Sequence, residues 1–348
     1  MLEESDVSDF WRSHNFRLEP WGNDYEPPIQ ISEELAPSES DVDPTVETSK
    51  DWENFEPEQV RSLPYKLIFI DGRRRLDAAI VGSNGNTIIY GVFGTIAVGA
   101  VVVDRTIPKA SYLEKQIDIQ RVVGFSGEQE AVSTTIPCPL GSKAKSLSYE
   151  PFNSKFDNTP AARGVIVQTA MLKAEEELVG KLDIKDADTL VIRDGSLRNE
   201  SPVFTLGYIK TMHRQYLPEK YAALLWKLSP GQRTPIFKIK LQNRSQYSWY
   251  LKSGDFQHLP QQLGYHDLYG IVRLELSSEV PLEKAKEIAN QTCHLIPYYA
   301  SHPSRDPRAP QNLAPVGALE RELGRRMGDA TLIKRRLQNF LASFGKNQ

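Results

Sequence analysis

Two aspartates and a glutamate are the residues of this sequence best suited to do chemistry together. Asp71 follows the apolar run Leu67-Ile68-Phe69-Ile70, Asp194 follows Thr189-Leu190-Val191-Ile192-Arg193, and a glycine comes directly after each. A glycine lets the chain turn at once, so each carboxylate is expected at the C-terminal end of a buried strand, where open α/β sheets bind ligands. If the two strands are neighbours, the carboxylates lie close together, and like charges so placed call for a divalent cation. The competing reading is a pair of turn aspartates that cap their own backbones.

Glu175, from Glu175-Glu176-Glu177, offers a third oxygen donor. At roughly 100° per residue it falls between the stripe of Val167, Met171, Leu178 and Leu182 and the pair Leu172 and Val179. An acid flanked by apolar neighbours needs a partner, and a metal would supply one. All-oxygen ligands suit Mg2+ or Mn2+ better than zinc. Two such ions serve phosphodiester hydrolysis, one activating water and the other stabilising the departing oxygen.

The elements that must hold these acids follow from pattern. Residues 67–70 and 76–82 read as two strands, and Ser83-Asn84-Gly85-Asn86 carries the Asn-Gly signal of a tight hairpin. Residues 87–103 contain no charge but hold three glycines and many Val and Ile; they are too few to span a bilayer as a helix and read as a long strand. The expectation is a three-stranded antiparallel meander whose first strand ends at Asp71. Residues 105–160 read as irregular, with Pro137, Pro139 and Pro151 as breakers. Thr159 is the expected N-cap and Pro160 the first turn of a helix over 161–182. A helix between two buried strands is a crossover and implies parallel pairing. Further strands are expected at 203–210, 234–241, 246–251 and 270–276, and helices at 218–228, 281–292 and, in two pieces, 315–344.

Composition narrows the class. The chain has 348 residues, 40% hydrophobic and 25% charged, which excludes a fibrous or wholly disordered protein. Cys138 and Cys293 are the only cysteines, so neither a disulfide framework nor a four-cysteine zinc site is available. The N-terminus lacks a basic start and an apolar run, and a cytoplasmic location is the expectation. The net charge of −3 divides unevenly: residues 1–58 hold 17 acids and 3 bases, leaving 28 acids and 39 bases in the remainder. An acidic leader ahead of a basic body is consistent with a polyanion ligand, and equally with a solvated tail. Within the leader, Phe10, Trp11, Phe16 and Trp21 are candidates for packing onto the body or onto a partner. No Walker loop, dinucleotide fingerprint or His-Glu-x-x-His occurs, and Gly124-Phe125-Ser126-Gly127 falls one residue short of a nucleophile elbow.

The order strand-Asp, hairpin, long strand, helix-Glu, strand-Asp resembles the ribonuclease H arrangement, an α/β fold with a mixed sheet. The chain from about 70 to 319 is also similar to the NurA nucleases, on Ile70-Asp71-Gly72, the helical glutamate, Arg193-Asp194-Gly195-Ser196-Leu197 and Gly207-Tyr208-Ile209-Lys210. The resemblance implies Asp71, Glu175 and Asp194 as metal ligands and Mn2+ (or Mg2+) as cofactor. It further implies exonuclease and single-strand endonuclease activity on DNA ends in repair, a homodimer, and a HerA-type hexameric ATPase as partner. Two departures stand out. Arg73 follows the first motif where the family usually has serine. Aligning Pro310-Gln311-Asn312-Leu313 with the C-terminal pattern puts Gly317 where the family often has a histidine, leaving His302 upstream as the substitute.

Lys210 is a candidate for orienting a scissile phosphate. Arg73, Arg74 and Arg75 lie directly behind Asp71, and Lys238 and Lys240 share one face of a strand by alternation, so these five are candidate nucleic-acid contacts. Tyr247, Trp249 and Tyr250 suit either base stacking or the core. Arg325-Arg326 and Lys334-Arg335-Arg336 are further basic candidates for DNA or a partner. The expected division is an acidic, largely disordered leader at 1–60, a NurA-like nuclease domain at 61–319 and a basic helical extension at 320–348. The expected function is a metal-dependent deoxyribonuclease without membrane attachment; the rival is an adaptor that keeps the fold, binds DNA or the ATPase and needs no metal.

Overall fold

The run from Lys66 to Asn84 forms one continuous strand, and the elements that bear on the acids are arranged about it. The structure, a computed structural model, describes residues 4–19, 41–50, 52–107, 109–138, 145–182, 184, 188–197, 204–211, 216–241, 244–254, 268–302 and 309–344. In chain order the elements are α1 (Glu4–Ser13), β1 (Arg17–Leu18), β2 (Val42–Asp43), β3 (Lys66–Asn84), β4 (Thr87–Asp104), β5 (Lys109–Tyr112), β6 (Asp118–Phe125), β7 (Thr134–Ile136), β8 (Leu147–Pro151) and α2 (Ala162–Lys181). There follow β9 (Thr189–Asp194), β10 (Thr205–Ile209), α3 (Glu219–Ala222), β11 (Phe237–Lys240), β12 (Ser245–Lys252), β13 (Ile271–Ser277), α4 (Leu282–Tyr299), α5 (Ala314–Arg326) and α6 (Ala330–Ser343).

The strands join in the order β2-β11-β12-β13-β10-β9-β3-β4-β6-β8-β7, with β1 beside β3 and β5 beside β4. The fold is mixed α/β. β3 runs antiparallel to β4 and β4 to β6, while β3, β9 and β10 are mutually parallel neighbours. The crossover between β3–β6 and β9 is made by α2, as the sequence pattern predicts. Among the described residues no helix is long and apolar enough to cross a membrane.

Several expectations need correction. The two strands read at 67–70 and 76–82 are one, so Asp71 sits within β3 and not at its end. Ladder pairing to β4 runs unbroken from Lys66 to Leu76, and a bulge follows between Leu76 and Ala78. Pairing with a neighbour outweighs the local turn signal of Asp-Gly. The third strand of the antiparallel set is β6, from a region read as irregular; β5, β7 and β8 come from the same region. Thr159 does not cap α2, whose first turn is preceded by Ala161 without a side-chain cap.

The leader is not largely disordered over residues 4–19. Trp11 and Phe16 are fully buried, and β1 pairs with β3 at Val81 and Ile80. Further on, Glu47 accepts hydrogen bonds from Arg233 and from the Ile236 amide, which pins that stretch beside β11. Trp21 lies outside the described residues. Tyr247, Trp249 and Tyr250 belong to the core: Trp249 and Tyr250 are buried, Tyr247 packs against the cluster that contains Trp249, and Trp249 Nε1 donates to Thr292 Oγ1.

Alternation along β3 and β9 separates two apolar layers. Ile68, Ile70 and Val191 pack with Ile166, Val167 and Met171 of α2. Leu67, Phe69, Leu190 and Ile192 pack on the other face with Ala285 and Ile288 of α4 and with Leu313 and Val316 at the start of α5. α5 continues along that face through Leu319, Leu323 and Met327, all buried. Burial of each such side chain stabilises the packing by about 1.5–3 kcal/mol.

Candidate metal centre

The parallel pairing of β3 and β9 matches Ile70 with Arg193 and so brings the next residues, Asp71 and Asp194, side by side. There β9 stops. Gly195 adopts φ +101°, a conformation open to glycine, and turns the chain back to bridge Tyr208. β3 continues past the site. The period of two then fixes which way each side chain points. Asp71 and Asp194 share the face of Phe69 and Ile192, beneath α5; Gly72 and Arg193 share the opposite face, beneath α2.

On the α5 face a third carboxylate joins them. One ligand oxygen from each of Asp71, Asp194 and Glu320 lies within 4.8 Å of the others. Asp71 is buried at 6% exposure, and its Oδ2 has no hydrogen-bond partner. Lys210, one residue past β10 and on the same face as Tyr208, donates from Nζ to Asp194 Oδ2 at 2.5 Å. Gln311 holds that end of β10, its Nε2 donating to the carbonyl oxygens of Lys210 and Ile271.

The electrostatics follow from the crowding. Burial pushes the Asp71 carboxyl well above the usual carboxylate range, and the charges of Asp194, Glu175 and Glu320 push further, against Lys210. Asp194 is also raised, by burial first, although Lys210 opposes the rise. Burial pulls Lys210 down, but the Asp194 carboxylate and its hydrogen bond outweigh this and hold the ammonium above its ordinary value. The arrangement fits a hard divalent cation. The donors are all carboxylate oxygens, and one buried oxygen lacks any partner.

Glu175 stands on the other face. Its Oε2 accepts from Arg193 Nε and Nη2 at 3.1 and 2.9 Å, and both side chains are essentially buried. A Cβ at position 72 would collide with Glu175 Oε1 and Met171 Cγ, so Gly72 is what lets α2 settle this closely. Glu175 thus acts on Asp71 through space, while the three-carboxylate group draws its third member from α5. His302 is exposed on the segment after α4 and is not in that group.

The expected nucleic-acid contacts disperse. Arg74 faces α2 and donates to Gln168 Oε1. Arg73 and Arg75 face α5 and donate to backbone carbonyls along it and at its C-terminal end. Lys238 and Lys240 do alternate outward from β11, but β11 is five strand positions from β3, on the order of 24 Å. Arg325 and Arg326 pair with Glu322, and Arg326 also with Glu114.

The sequence reading does not single out Glu320, though a signal for it exists. It follows Leu319 and lies one turn after Val316, at the margin of the stripe Val316-Leu319-Leu323. It also stands one turn beyond Gly317, where the family resemblance calls for a histidine.

No protein-family model and no curated protein matches this sequence. Among solved structures, the chain is similar to the crystal structure of the NurA nuclease from Sulfolobus solfataricus, at 11% sequence identity and a TM-score of 0.40, over 82% of this chain and 86% of that one.

Proposed function

We propose that this protein is a divalent-metal-dependent nuclease acting on DNA, with Asp71, Asp194 and Glu320 as the metal ligands. The observation that carries the reading is the meeting of three carboxylates around the partnerless, buried Oδ2 of Asp71, with the Lys210 ammonium at their edge. A divalent cation held there would activate water and offset charge on a phosphodiester. Asp71 and Asp194, from two adjacent strands, and Glu320, from a helix, would hold the cation. Lys210, its ammonium held above the ordinary value by Asp194, offers N–H donors to a phosphate oxygen beside Asp194.

In the fuller form of this proposal the fold is ribonuclease H-like and the metal is Mn2+ or Mg2+. The enzyme would trim DNA ends in repair as a cytoplasmic homodimer coupled to a HerA-type ATPase. The role in repair, the dimer and the ATPase come from the family resemblance of the sequence.

The test is Mn2+-dependent degradation of end-labelled single- and double-stranded DNA by the wild type beside Asp71→Ala and Asp194→Ala. Loss of activity in both folded variants supports the reading. A wild type that binds no Mn2+ and leaves both substrates intact, with and without the ATPase, overturns it in favour of a non-catalytic adaptor.

A further inference from the structure

The arginines behind Asp71 all reach neighbouring elements. Alternation along β3 sends Asp71, Arg73 and Arg75 to the face covered by α5 and Arg74 to the face covered by α2. Arg73 Nη1 donates to the backbone carbonyl of Glu320 at 3.2 Å, and its guanidinium lies against Gly324, where an added Cβ would stand 3.1 Å from Cζ. Arg75 reaches the end of the same helix: Nη1 donates to the Gly328 carbonyl at 2.7 Å and Nη2 to that of Met327 at 3.3 Å. The Met327 carbonyl is at the negative end of the helix, where a cation is favoured and where acceptors would otherwise lack partners, and Gly328 follows it directly.

Arg75 is itself fixed. Its Nε donates to Asp77 Oδ1 at 2.8 Å, and the buried Asp77 also accepts from Thr95 Oγ1 at 2.5 Å and Tyr149 Oη at 2.9 Å. The bulge between Leu76 and Ala78 interrupts the register beside Asp77, at the point where this anchor forms. A chain of contacts therefore runs from Tyr149 and Thr95 through Asp77 and Arg75 to the C-terminus of α5, and a second from Arg73 to the backbone of Glu320.

We propose that Arg73 and Arg75 are positioning residues: they clasp α5 to β3 and set Glu320 against Asp71 and Asp194. The strand that supplies one ligand thereby holds, two and four residues later, the helix that supplies another. This inference rests on the metal reading of the three-carboxylate site for its consequence, though the clasp can be tested apart from it.

The experiment compares full-length wild type, Arg73→Ala, Arg75→Ala, Arg73→Lys and Lys155→Ala by three readouts. These are Mn2+ affinity by calorimetry, hydrogen exchange of the α5 amides without metal, and affinity for labelled single-stranded DNA in EDTA. The clasp predicts that Arg73→Ala and Arg75→Ala weaken Mn2+ binding by about tenfold or more, the scale of losing a group that orients a metal ligand. It predicts faster exchange across α5 in both, DNA affinity changed less than about twofold, and partial rescue in Arg73→Lys. Lys155, almost fully exposed and facing Glu128 at 3.9 Å, serves as the control with none of these effects. Unchanged α5 exchange in both alanine variants overturns the clasp, as does a large loss of DNA affinity with Mn2+ binding intact. A wild type that binds no Mn2+ but whose α5 loosens in the alanine variants leaves the clasp standing and removes the metal reading.

Discussion

The carboxyl of Asp71 is held above the ordinary range by burial first, then by Asp194, Glu175 and Glu320. The proton balance sets the sign of its pH dependence. Between the unfolded value, about 3.9 for Asp, and the raised folded value, the native state binds more protons than the unfolded one. Without metal, this residue therefore favours the fold at low pH, and that contribution is lost as pH rises through the folded value. A bound cation reverses the demand, since it needs the carboxylate, so metal affinity climbs over the same window. Asp71→Asn removes the titration. Once pH has risen past the folded value, and without metal, the variant should be more stable than wild type by roughly 1–3 kcal/mol, the cost of a buried polar group lacking its partner. Added Mn2+ should raise the melting temperature of the wild type and leave Asp71→Asn unmoved. Denaturation as a function of pH, with EDTA or Mn2+, checks both parts; a wild type whose stability relative to Asp71→Asn does not fall as pH rises in EDTA contradicts them.

At the scale of elements, the two faces of the β3–β9 pair divide the acids into different roles. α2 brings Glu175 to Arg193, and α5 brings Glu320 to Asp71 and Asp194. Glu175→Gln breaks a buried pair and should cost about 3–5 kcal/mol of stability, with Mn2+ affinity changed little in the protein that remains folded. Glu320→Gln should do the opposite, lowering Mn2+ affinity about tenfold or more, because a ligand charge is gone, with a small effect on stability. Paired calorimetry and urea unfolding separate the two, and an exchange of these outcomes would return Glu175 to the metal.

The same division explains how far the sequence is legible. α2, β9 and β10 are plain in it because each carries an apolar run whose period and length match the element. The course of β3 is not, because Asp71-Gly72-Arg73-Arg74-Arg75 is locally a polar turn and becomes strand only through its pairing with β4. The pairing of Asp71 with Asp194 can be reached from two local motifs and a parallel crossover. Glu320 depends on where α5 docks, which no local pattern states, and the family pattern points to a histidine in that helix and not to the acid one turn on.

At the scale of the whole molecule, the two ends of the chain build a core of their own. Trp11 of α1 stacks on Phe93 of β4 with centroids 5.4 Å apart and meets Phe340 of α6 edge-on at 5.8 Å. Phe16, Ala78, Ile80, Phe125, Ile333, Leu337 and Leu341 belong to the same cluster, which lies past the bulge of β3 and apart from the layers that flank the carboxylates. α6 follows α5 directly, and the carbonyls that Arg75 holds, of Met327 and Gly328, are the joint between them. α1 therefore covers the helix that continues from the one bearing Glu320, but the clasp stands between that cover and the site. Trp11→Ala removes the largest side chain of the cluster and should cost about 3–5 kcal/mol. Hydrogen exchange should quicken in α1 and α6, while α5 and Mn2+ affinity hold near wild-type values under conditions where the variant is folded. Mn2+ affinity falling with Trp11→Ala as far as with Arg75→Ala would mean that the joint transmits disorder, and the site would then depend on the terminal core as a whole.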